Sequence, residues 1–502
     1  MFSRRRFLAS SLLAATANLP ASRGFSAILA PSPVGIDRDL DAVTGAGKPV
    51  TLKRAAVQEL GESLRGNLIL PGGAGYDQAR WVWNAQMNRH PALIVQPRGA
   101  VDVRNAVQFA READLLLAVK CGGHSPSGKS TCERGMLLDL SLLRGVRVDP
   151  EARLARVGGG SLLGDLDHES MAHGLVTTAG TVSHTGVGGL TLGGGFGRLA
   201  RRYGLALDNV RGVEIVTASG EILRADAEQN PELFWGVRGG GGNYGVVTGF
   251  DFNLHPMQRQ VIGGNILFPL SQARQVLSFY AEYEGTAPDE LYLSAAMASN
   301  SDFSGVSGVG FILCYSGRPE KAEAILKTLR SVGKPLIDTV KPLDYVALQR
   351  SGDSDEKRAI GSYTKTGFVK KIPPALIEAM VGGLEEHPER STLVGFQHCG
   401  GAISRVAADA TAFPHRGIHA TSLLTVDWPG NADPAPHIKW LLDYWGRIVP
   451  HTDGFYTNDA TEETQKQLDE NYMANLPRLV KLKNRYDPTN LFRLNANVKP
   501  TV

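Results

Sequence analysis

Cysteine is scarce in this chain, with four residues among 502: Cys121, Cys132, Cys314 and Cys399. That number is too small for a disulfide framework at this length. No CxxC pair and no Cys/His spacing typical of a zinc site occurs in the sequence. We therefore predict no metal centre. Whether Cys121 and Cys132 pair in an oxidising compartment stays open.

The chain also lacks an excess of charge of either sign. Lys and Arg number 53 against 50 Asp and Glu, a formal net charge of +3, so charge indicates no nucleic-acid partner. The N-terminal apolar run from Phe7 to Leu19 is shorter than the roughly 20 residues that span a bilayer as a helix. We predict no nucleic-acid binding and no stable membrane insertion.

The same apolar run follows three arginines and carries a different signal. The stretch Ser3–Leu8 reads SRRRFL and resembles a twin-arginine export signal. We predict a signal peptide over residues 1–27, read by the twin-arginine export machinery and cleaved after Ala17 or Ala27, and hence a periplasmic or extracellular protein. Because that machinery carries folded proteins, the signal suggests a cofactor inserted before export. The alternative is a basic amphipathic N-terminal arm.

Glycine, by contrast, is abundant: 58 residues, concentrated in a few loops. The densest loop lies between Thr178 and Leu205. Since glycine loses the most backbone entropy on ordering, this density needs a reason, such as positive φ angles or close approach to a flat or phosphorylated ligand. A flexible linker is the alternative, but apolar residues interleave with these glycines, unlike in linkers. We predict a cofactor-cradling loop whose glycines are Gly186, Gly188, Gly189, Gly193, Gly194, Gly195 and Gly197.

A second glycine-rich turn follows a predicted β-α-β unit. Ala92–Gln96 and Leu115–Val119 are strand candidates, and Gly99–Asp114 between them repeats apolar residues at helical spacing. Ligands bind at strand ends in such units, and glycine-rich turns present backbone N–H groups to anions. The turn comprises Lys120, Cys121, Gly122, Gly123, His124, Ser125, Pro126, Ser127 and Gly128. From the residues alone, a structural and a ligand-binding role are equally open for His124.

The composition and the predicted secondary structure change after a third glycine cluster, Leu233–Thr248. Beyond Pro256 the glycine loops end, and strands mix with helices in a pattern typical of an α+β domain with a largely antiparallel sheet. From about Asp453 the chain changes again, into a polar helix predicted over Thr461–Lys483. The predicted strands of the middle region are Gly263–Phe268, Leu291–Met297, Gly308–Cys314, Leu393–His398 and Thr421–Trp428, and its predicted helices are Leu270–Tyr283, Pro319–Val332 and Ala375–His387.

A dinucleotide-binding Rossmann site is the main rival interpretation. Gly195, Gly197 and Ala200 fit GxGxxA, and Glu214 follows at nearly the right distance. That fingerprint needs a buried parallel strand directly before it, whereas the preceding stretch is already broken by glycines. Glu214 also belongs to a hairpin predicted around Ser219-Gly220. An NAD-dependent dehydrogenase is therefore disfavoured.

Four motifs in order are more specific: GGHSxxG, GTVSHTGVGGLTLGGGFGRLARRYGL, LFWGVRGGGGNYGVVT and YDPTNLFRLN. Together they resemble the vanillyl-alcohol-oxidase class of flavoproteins, and within it the berberine-bridge-enzyme-like FAD-linked oxidoreductases. The resemblance implies an α+β fold: a PCMH-type FAD-binding domain of two α+β lobes, plus a substrate domain with an antiparallel sheet backed by helices. We expect the FAD domain at 76–256, the substrate domain at 257–452 and a C-terminal segment, 453–502, that completes the FAD domain.

The resemblance also implies how FAD is held. His124 stands at the histidine that the family links to the flavin 8α-methyl group, and Val182 stands where many members use a cysteine for a second bond, so a single histidyl bond is expected. Thr185 matches a position that gates oxygen access, and its small size favours oxidase behaviour. The expected FAD-binding residues are Lys120, Gly122, Gly123, His124, Ser125, Ser127, Gly128, Thr181, Val182, Thr185, Gly186, Gly188, Gly189, Gly193, Gly194, Gly197, Asn243, Gly245, Val246, Val247, Asn458 and Asn495.

The catalytic base is less defined by the motifs. Tyr456 matches the tyrosine of the family's YxN segment, which points at substrate, and Gln397 and His398 align with a strand that supplies polar partners. His184, beside the flavin-binding turn, is either catalytic or bonded to cofactor. Leu423 stands where plant members have a polar residue, so the substrate does not transfer from them.

The implied activity is oxidation of a small-molecule alcohol, sugar or secondary metabolite by hydride transfer to FAD. A base removes the substrate proton, and O2 is the expected electron acceptor. The alternatives are a flavin dehydrogenase with another acceptor and a secreted binding protein without turnover.

Overall fold

A computed structural model describes residues 36–301, 305–353, 360–459 and 461–502. The predicted signal peptide, residues 1–27, lies outside the described residues. The strands are β1 (Leu40–Val43), β2 (Pro49–Leu52), β3 (Asn67–Ile69), β4 (Leu93–Gln96), β5 (Leu117–Lys120), β6 (Met136–Asp139), β7 (Val146–Asp149), β8 (Leu154–Gly158), β9 (Leu175–Val176), β10 (Val210–Val216), β11 (Ile222–Asp226), β12 (Val246–Asn253), β13 (His255–Pro256), β14 (Gln260–Phe268), β15 (Leu291–Ser301), β16 (Val306–Tyr315), β17 (Ile337–Asp338), β18 (Lys341–Asp344), β19 (Ile360–Val369), β20 (Ser391–His398) and β21 (Ala420–Pro429). The helices are α1 (Arg54–Ser63), α2 (Tyr76–Arg80), α3 (Ala100–Glu112), α4 (Leu163–Met171), α5 (Val187–Gly193), α6 (Ala200–Tyr203), α7 (Pro231–Val237), α8 (Ala273–Tyr283), α9 (Ala322–Arg330), α10 (Tyr345–Arg350), α11 (Pro374–Glu386), α12 (Ala435–Ile448), α13 (Gln465–Asn471) and α14 (Leu476–Tyr486).

The first lobe is built on a four-stranded sheet in the order β3-β4-β6-β5. Strands β4, β6 and β5 are parallel, and β3 pairs with β4 antiparallel at one edge. Helix α3 buries Val103, Ala106, Val107 and Ala110, an apolar stripe at helical spacing, in the same core as the strands. The predicted β-α-β unit is present. The strand β6, which the sequence pattern did not indicate, lies between its two strands.

The second lobe carries a five-stranded antiparallel sheet in the order β11-β10-β12-β8-β7. Strands β10 and β11 form the hairpin predicted around Ser219-Gly220. Glu214 lies on β10, whose two neighbours are both antiparallel to it. Gly195 follows α5 and not a strand. The described structure therefore excludes the Rossmann interpretation of the Gly195–Ala200 motif.

The middle region of the chain forms a third layer, an eight-stranded antiparallel sheet. Its strand order is β17-β14-β16-β15-β20-β21-β19, and β18 also pairs with β14. Helices α8, α11 and α12 share one apolar core with it. Side chains alternate between the faces of a strand, so one face of the sheet packs on these helices. The α+β class with a helix-backed antiparallel sheet is confirmed.

The sequence pattern missed four elements of this sheet and its helices, and misjudged one beyond it. It did not indicate β17, β18, β19 or α12. The helix predicted over Thr461–Lys483 is wrong in extent: it is divided into α13 and α14 by a short 3-10 turn at Met473–Asn475. Met473 has a φ of 49°, which a continuous helix does not allow, and Pro477 lies in the first turn of α14.

The C-terminal segment is joined to the second lobe at Lys483, a fully buried lysine that also forms an ion pair with Asp487 of the same segment. The Lys483 ammonium donates to Asp487 Oδ2 at 2.7 Å and to the carbonyl oxygens of Asn243 and Phe492 at 3.0 Å each. Asp487 in turn accepts from the backbone N–H groups of Leu491 and Phe492. Every hydrogen of the ammonium thus has a partner, which a charge with no exposed surface requires.

We predict that Lys483→Met destabilises the protein by about 3–5 kcal/mol, because it leaves the Asp487 carboxylate buried without its counter-charge. The matched control is Lys439→Met, which breaks an exposed Lys–Asp pair of the same i, i+4 spacing and is expected to change stability by less than about 1 kcal/mol. Thermal unfolding of both variants measures the difference. Equal effects would contradict the assigned role of the buried pair.

Candidate cofactor and active site

One cavity of about 410 Å³ gathers most of the residues singled out from the sequence. Its wall combines the two glycine-rich loops, the start of β12, the segment after Tyr456 and the chain end near Asn495. Of the predicted site residues, those on the wall are Gly122, Gly123, His124, Ser125, Thr181, Val182, Thr185, Gly186, Gly188, Gly189, Gly245, Val246, Val247, Gln397, Tyr456, Asn458 and Asn495. Residues from six separate parts of the chain therefore line a single cavity.

The two glycine-rich loops touch backbone to backbone at Gly122 and Gly186. A Cβ atom on Gly122 would lie 2.3 Å from the Gly186 nitrogen, and a Cβ on Gly186 would lie 2.3 Å from the Gly122 nitrogen. Real Cβ atoms do not approach so closely, so neither loop tolerates a side chain at this point. A Cβ on Gly189, Gly241 or Gly242, also on the wall, would meet open space.

The other predicted cofactor residues lie behind the wall and support it. Lys120 is buried, pairs with Asp139 at 3.4 Å and donates to the Ala79 carbonyl; burial lowers its pKa. Asn243, with no exposed surface, donates to the Ala496 carbonyl and accepts from Val498 N–H.

The predicted residues outside the wall also include four glycines that each pack closely on a neighbouring group. Gly193 packs on Asn458, Gly194 on Tyr456, Gly197 on the Ala179 carbonyl and Gly128 on Met87. Ser127 is also outside the wall, and its Oγ lies 3.4 Å from Ser125 Oγ.

His124 and His184 form a hydrogen-bonded pair at one end of the cavity. His124 Nε2 lies 2.7 Å from His184 Nδ1, and His124 Nδ1 lies 3.4 Å from Thr185 Oγ1. Trp83 stacks on the His124 ring with centroids 5.6 Å apart. His184 itself is not part of the cavity wall; it contacts His124 from behind.

Tyr456 is held by two donors aimed at its phenolic oxygen. The Gly195 backbone N–H donates to it at 2.9 Å, and the Asn458 side-chain amide donates at 2.7 Å. Burial is the main cause that raises the pKa of Tyr456, the Asp459 charge adds to it, and the two donors oppose it. Both donors are therefore amide groups, one from the backbone and one from a side chain.

Gln397 and His398 are separated by the alternation of β20. Gln397 reaches the cavity wall and receives a hydrogen bond from Thr421 Oγ1 at 3.5 Å. His398 turns to the other face, where its Nδ1 accepts from Leu293 N–H and its Nε2 lies 3.2 Å from the Glu284 carbonyl. Burial holds the pKa of His398 well below its usual value. The structure therefore does not bring His398 to the cavity wall.

Sequence reasoning missed three polar residues on the wall: Lys129, Ser130 and Asp459. Burial lowers the pKa of Lys129 and raises the pKa of Asp459 to about 7. Lys129 and Ser130 directly follow the GGHSxxG turn, and Asp459 directly follows the YxN segment. Extending each motif by two residues would have found all of them.

The wall fits a flat cofactor with a phosphate-bearing tail such as FAD. Apolar side chains of Leu190, Leu192 and Phe196 line it beside the bare glycine backbones. Ser130 Oγ and Asn495 Oδ1 are buried there without any hydrogen-bond partner in the described structure, a costly state that a bound polar ligand would relieve. Among the described residues, no group of His, Cys, Asp and Glu is arranged to hold a metal ion, and all four cysteines are free thiols.

Comparisons with known proteins agree with this geometry. Residues 91–226 match the model of an FAD binding domain, and residues 456–499 match the model described as "Berberine and berberine like". An FAD-linked oxidoreductase of Dictyostelium discoideum is 34% identical over 447 residues, 88% of this chain and 97% of the relative. The (R)-6-hydroxynicotine oxidase of Paenarthrobacter nicotinovorans is 30% identical over 457 residues, 87% of this chain and 97% of that one.

Among solved structures, a chitooligosaccharide oxidase superimposes with a TM-score of 0.80 at 21% identity, covering 89% of this chain and 100% of the other. That likeness supports the fold. The site and the sequence matches together define an FAD-dependent oxidoreductase. The chain belongs to the berberine-bridge-enzyme-like FAD-linked oxidoreductases.

No helix in the described ranges has the length and apolar character needed to cross a membrane.

We predict that stability falls with pH because of Asp459. Its folded-state pKa of about 7 is raised above the ordinary value of 3.8, so the unfolded state loses its proton first as pH rises. The free energy of unfolding therefore drops by up to about 1.4 kcal/mol per pH unit between those two values. Asp459→Asn removes this loss: it matches wild type near pH 4 and is more stable at pH 8. Exposed Asp443→Asn is the control, and parallel pH profiles for wild type and Asp459→Asn would contradict the prediction.

Proposed function

We propose that this protein is an exported oxidase that transfers a hydride from an alcohol, sugar or secondary-metabolite substrate to FAD, with O2 as electron acceptor. The observation that carries the proposal is the placement of Tyr456. Tyr456 lies on the wall of the cavity, and its phenolic oxygen accepts from two N–H donors. When bound, FAD supplies the hydride acceptor and the route of electrons to oxygen.

In this proposal Tyr456 takes the substrate proton or is the hydrogen-bond partner of the group that takes it. The ordinary tyrosine pKa is near 10, and burial raises it further, so the resting group is a neutral phenol. The Gly195 and Asn458 donors stabilise negative charge on the oxygen and reduce the cost of forming a phenolate. Asp459, which titrates near neutral pH, is the other titratable group of this segment on the wall.

The remaining roles follow from position. Residues 120–128, 181–189, 245–247 and 495 are the proposed cradle of FAD. The 257–452 domain is proposed to bind substrate, with Gln397 at the point where its sheet meets the cavity. Thr185, a small residue on the wall, is proposed to leave O2 a path to the flavin.

The substrate test is a screen with peroxide detection. The names of the relatives mention a hydroxynicotine and a chitooligosaccharide, so the panel should contain sugars, alcohols and amines of low mass. Hydrogen peroxide formed in proportion to substrate oxidised supports an oxidase. Flavin reduction without peroxide indicates a dehydrogenase, and no reduction by any class contradicts an enzymatic role.

Covalent attachment of FAD is proposed to occur through His124 alone, since Val182 offers no thiol. We expect flavin colour to stay in the acid-precipitated protein of wild type and to move to the supernatant for His124→Ala. Val182→Ala is the matched control at the other expected tether and should keep its colour in the pellet. Free flavin from wild type would contradict the bond.

Tyr456→Phe keeps the ring and removes only the hydroxyl. We predict that it slows flavin reduction by about 10²–10⁴-fold while substrate still binds, because a general base or its partner is lost. Anaerobic stopped-flow spectroscopy measures the reduction rate directly, and Tyr486→Phe, outside the cavity, controls for loss of a tyrosine hydroxyl. A rate within a few-fold of wild type would exclude Tyr456 and leave Asp459, which also lies on the wall, as the candidate.

Export is proposed to depend on Arg4 and Arg5. Replacing both with lysine keeps the charge and removes the motif, so we expect the flavin-loaded, unprocessed protein to stay in the cytoplasm. Cell fractionation with flavin fluorescence checks this. Export at the wild-type level would show that the N-terminus acts by charge alone.

A further inference from the structure

The His124–His184 contact joins two histidines from different loops, and the proposed function uses only one of them. The two nitrogens, His124 Nε2 and His184 Nδ1, are 2.7 Å apart, a distance that requires a proton between them. A neutral imidazole has one N–H and one lone pair, and the hydrogen bond at one nitrogen decides which nitrogen keeps the lone pair. The identity of the nucleophilic nitrogen of His124 is therefore set outside His124.

The backbone that carries His184 is fixed on both sides. Ser183 donates from its N–H to Asp353 Oδ1 at 2.8 Å and from its hydroxyl to Asp353 Oδ2 at 2.5 Å. On the other side, the Thr185 carbonyl accepts from Leu163 N–H at 2.9 Å. Trp83 stacks on the His124 ring. Contacts within the protein thus hold the backbone on either side of His184 and the ring of His124.

We propose that His184 is a positioning residue for covalent FAD attachment: its Nδ1 accepts a hydrogen bond from His124 Nε2–H and so makes His124 Nδ1 the nitrogen that bonds to the flavin. This inference rests on the proposed histidyl linkage. Once Nδ1 is alkylated, the imidazole of His124 is a cation, and its remaining N–H faces the lone pair of His184 Nδ1. The contact therefore keeps the lone pair on Nδ1 before attachment and stabilises the positive charge of the imidazole after it.

Covalent attachment breaks one C–H bond of the flavin and forms one N–C bond. The 8α-methyl carbon loses one proton to solvent, the lone pair of His124 Nδ1 forms the new N–C bond, and the flavin ring takes up an electron pair. O2 then accepts two electrons and two protons and leaves as hydrogen peroxide. In sum, the Nδ1 lone pair, one C–H, one proton from solvent and one O2 give one N–C bond, an imidazolium that keeps its Nε2–H, and one H2O2.

Two variants of His184 separate hydrogen bonding from packing. His184→Asn places an amide oxygen at the same distance along the side chain as Nδ1 and keeps an acceptor. His184→Leu has similar bulk and no acceptor. His124→Ala lacks the bonding nitrogen and gives the background signal in the absence of covalent attachment. The full chain of each variant is produced under riboflavin limitation, FAD is added, and samples are taken over time.

Two quantities are measured in each sample: total bound FAD by absorbance, and covalent FAD by fluorescence of the denatured polypeptide. We expect His184→Leu to bind FAD but to attach it at least about 10-fold more slowly than wild type, and His184→Asn to attach it within a few-fold of wild type. Attachment in His184→Leu at the wild-type rate overturns the proposal. So does equal slowing in both variants, which would indicate packing.

A second measurement does not depend on the variants. The flavin-bearing peptide of the wild type is isolated and the bonded nitrogen is identified by NMR. The proposal requires Nδ1, and attachment through Nε2 overturns it even if His184→Leu fails to fold. If wild-type flavin is not covalent at all, the histidyl linkage itself fails, an outcome distinct from every result above.

Discussion

The close contact between Gly122 and Gly186 is the constraint on which the site depends. The two loops come from opposite ends of a stretch of more than sixty residues, and their backbones meet at a distance that leaves no room for a Cβ atom. This contact sets His124 against His184 and aligns both loops along one wall. Without it, the histidine pair and the two glycine-rich loops would not share one cavity wall with Tyr456.

Much of this architecture was predictable from local pattern. The β-α-β unit follows from strand-like apolar runs around an amphipathic helix, and the hairpin of β10 and β11 follows from Ser219-Gly220. The helix Thr461–Lys483 was predicted too long because polar periodicity continues through Met473, whose positive φ breaks the helix. Strand β6 was missed because a central strand of four buried residues has no alternation to detect.

The site was predictable as a set of motifs but not as a set of contacts. Gln397 and His398 are adjacent in sequence, and only the register of β20 shows which one reaches the cavity. One donor to Tyr456 is the backbone N–H of Gly195. The pattern of side chains in a sequence does not indicate a backbone donor. The His124–His184 pair joins residues 60 positions apart, a distance at which a single sequence gives no information on contact.

The buried Lys483–Asp487 pair has a consequence for the order of events during synthesis. The wall of the cavity includes Tyr456, Asn458 and Asn495, and Lys483 joins their segment to Asn243, 240 residues earlier. A chain synthesised only as far as Asn471 contains Tyr456 and Asn458 but lacks both Lys483 and Asn495, so this wall cannot close. The cavity is therefore completed only once the polypeptide extends past Asn495, and a ligand of the cavity is enclosed after that point of synthesis and not before.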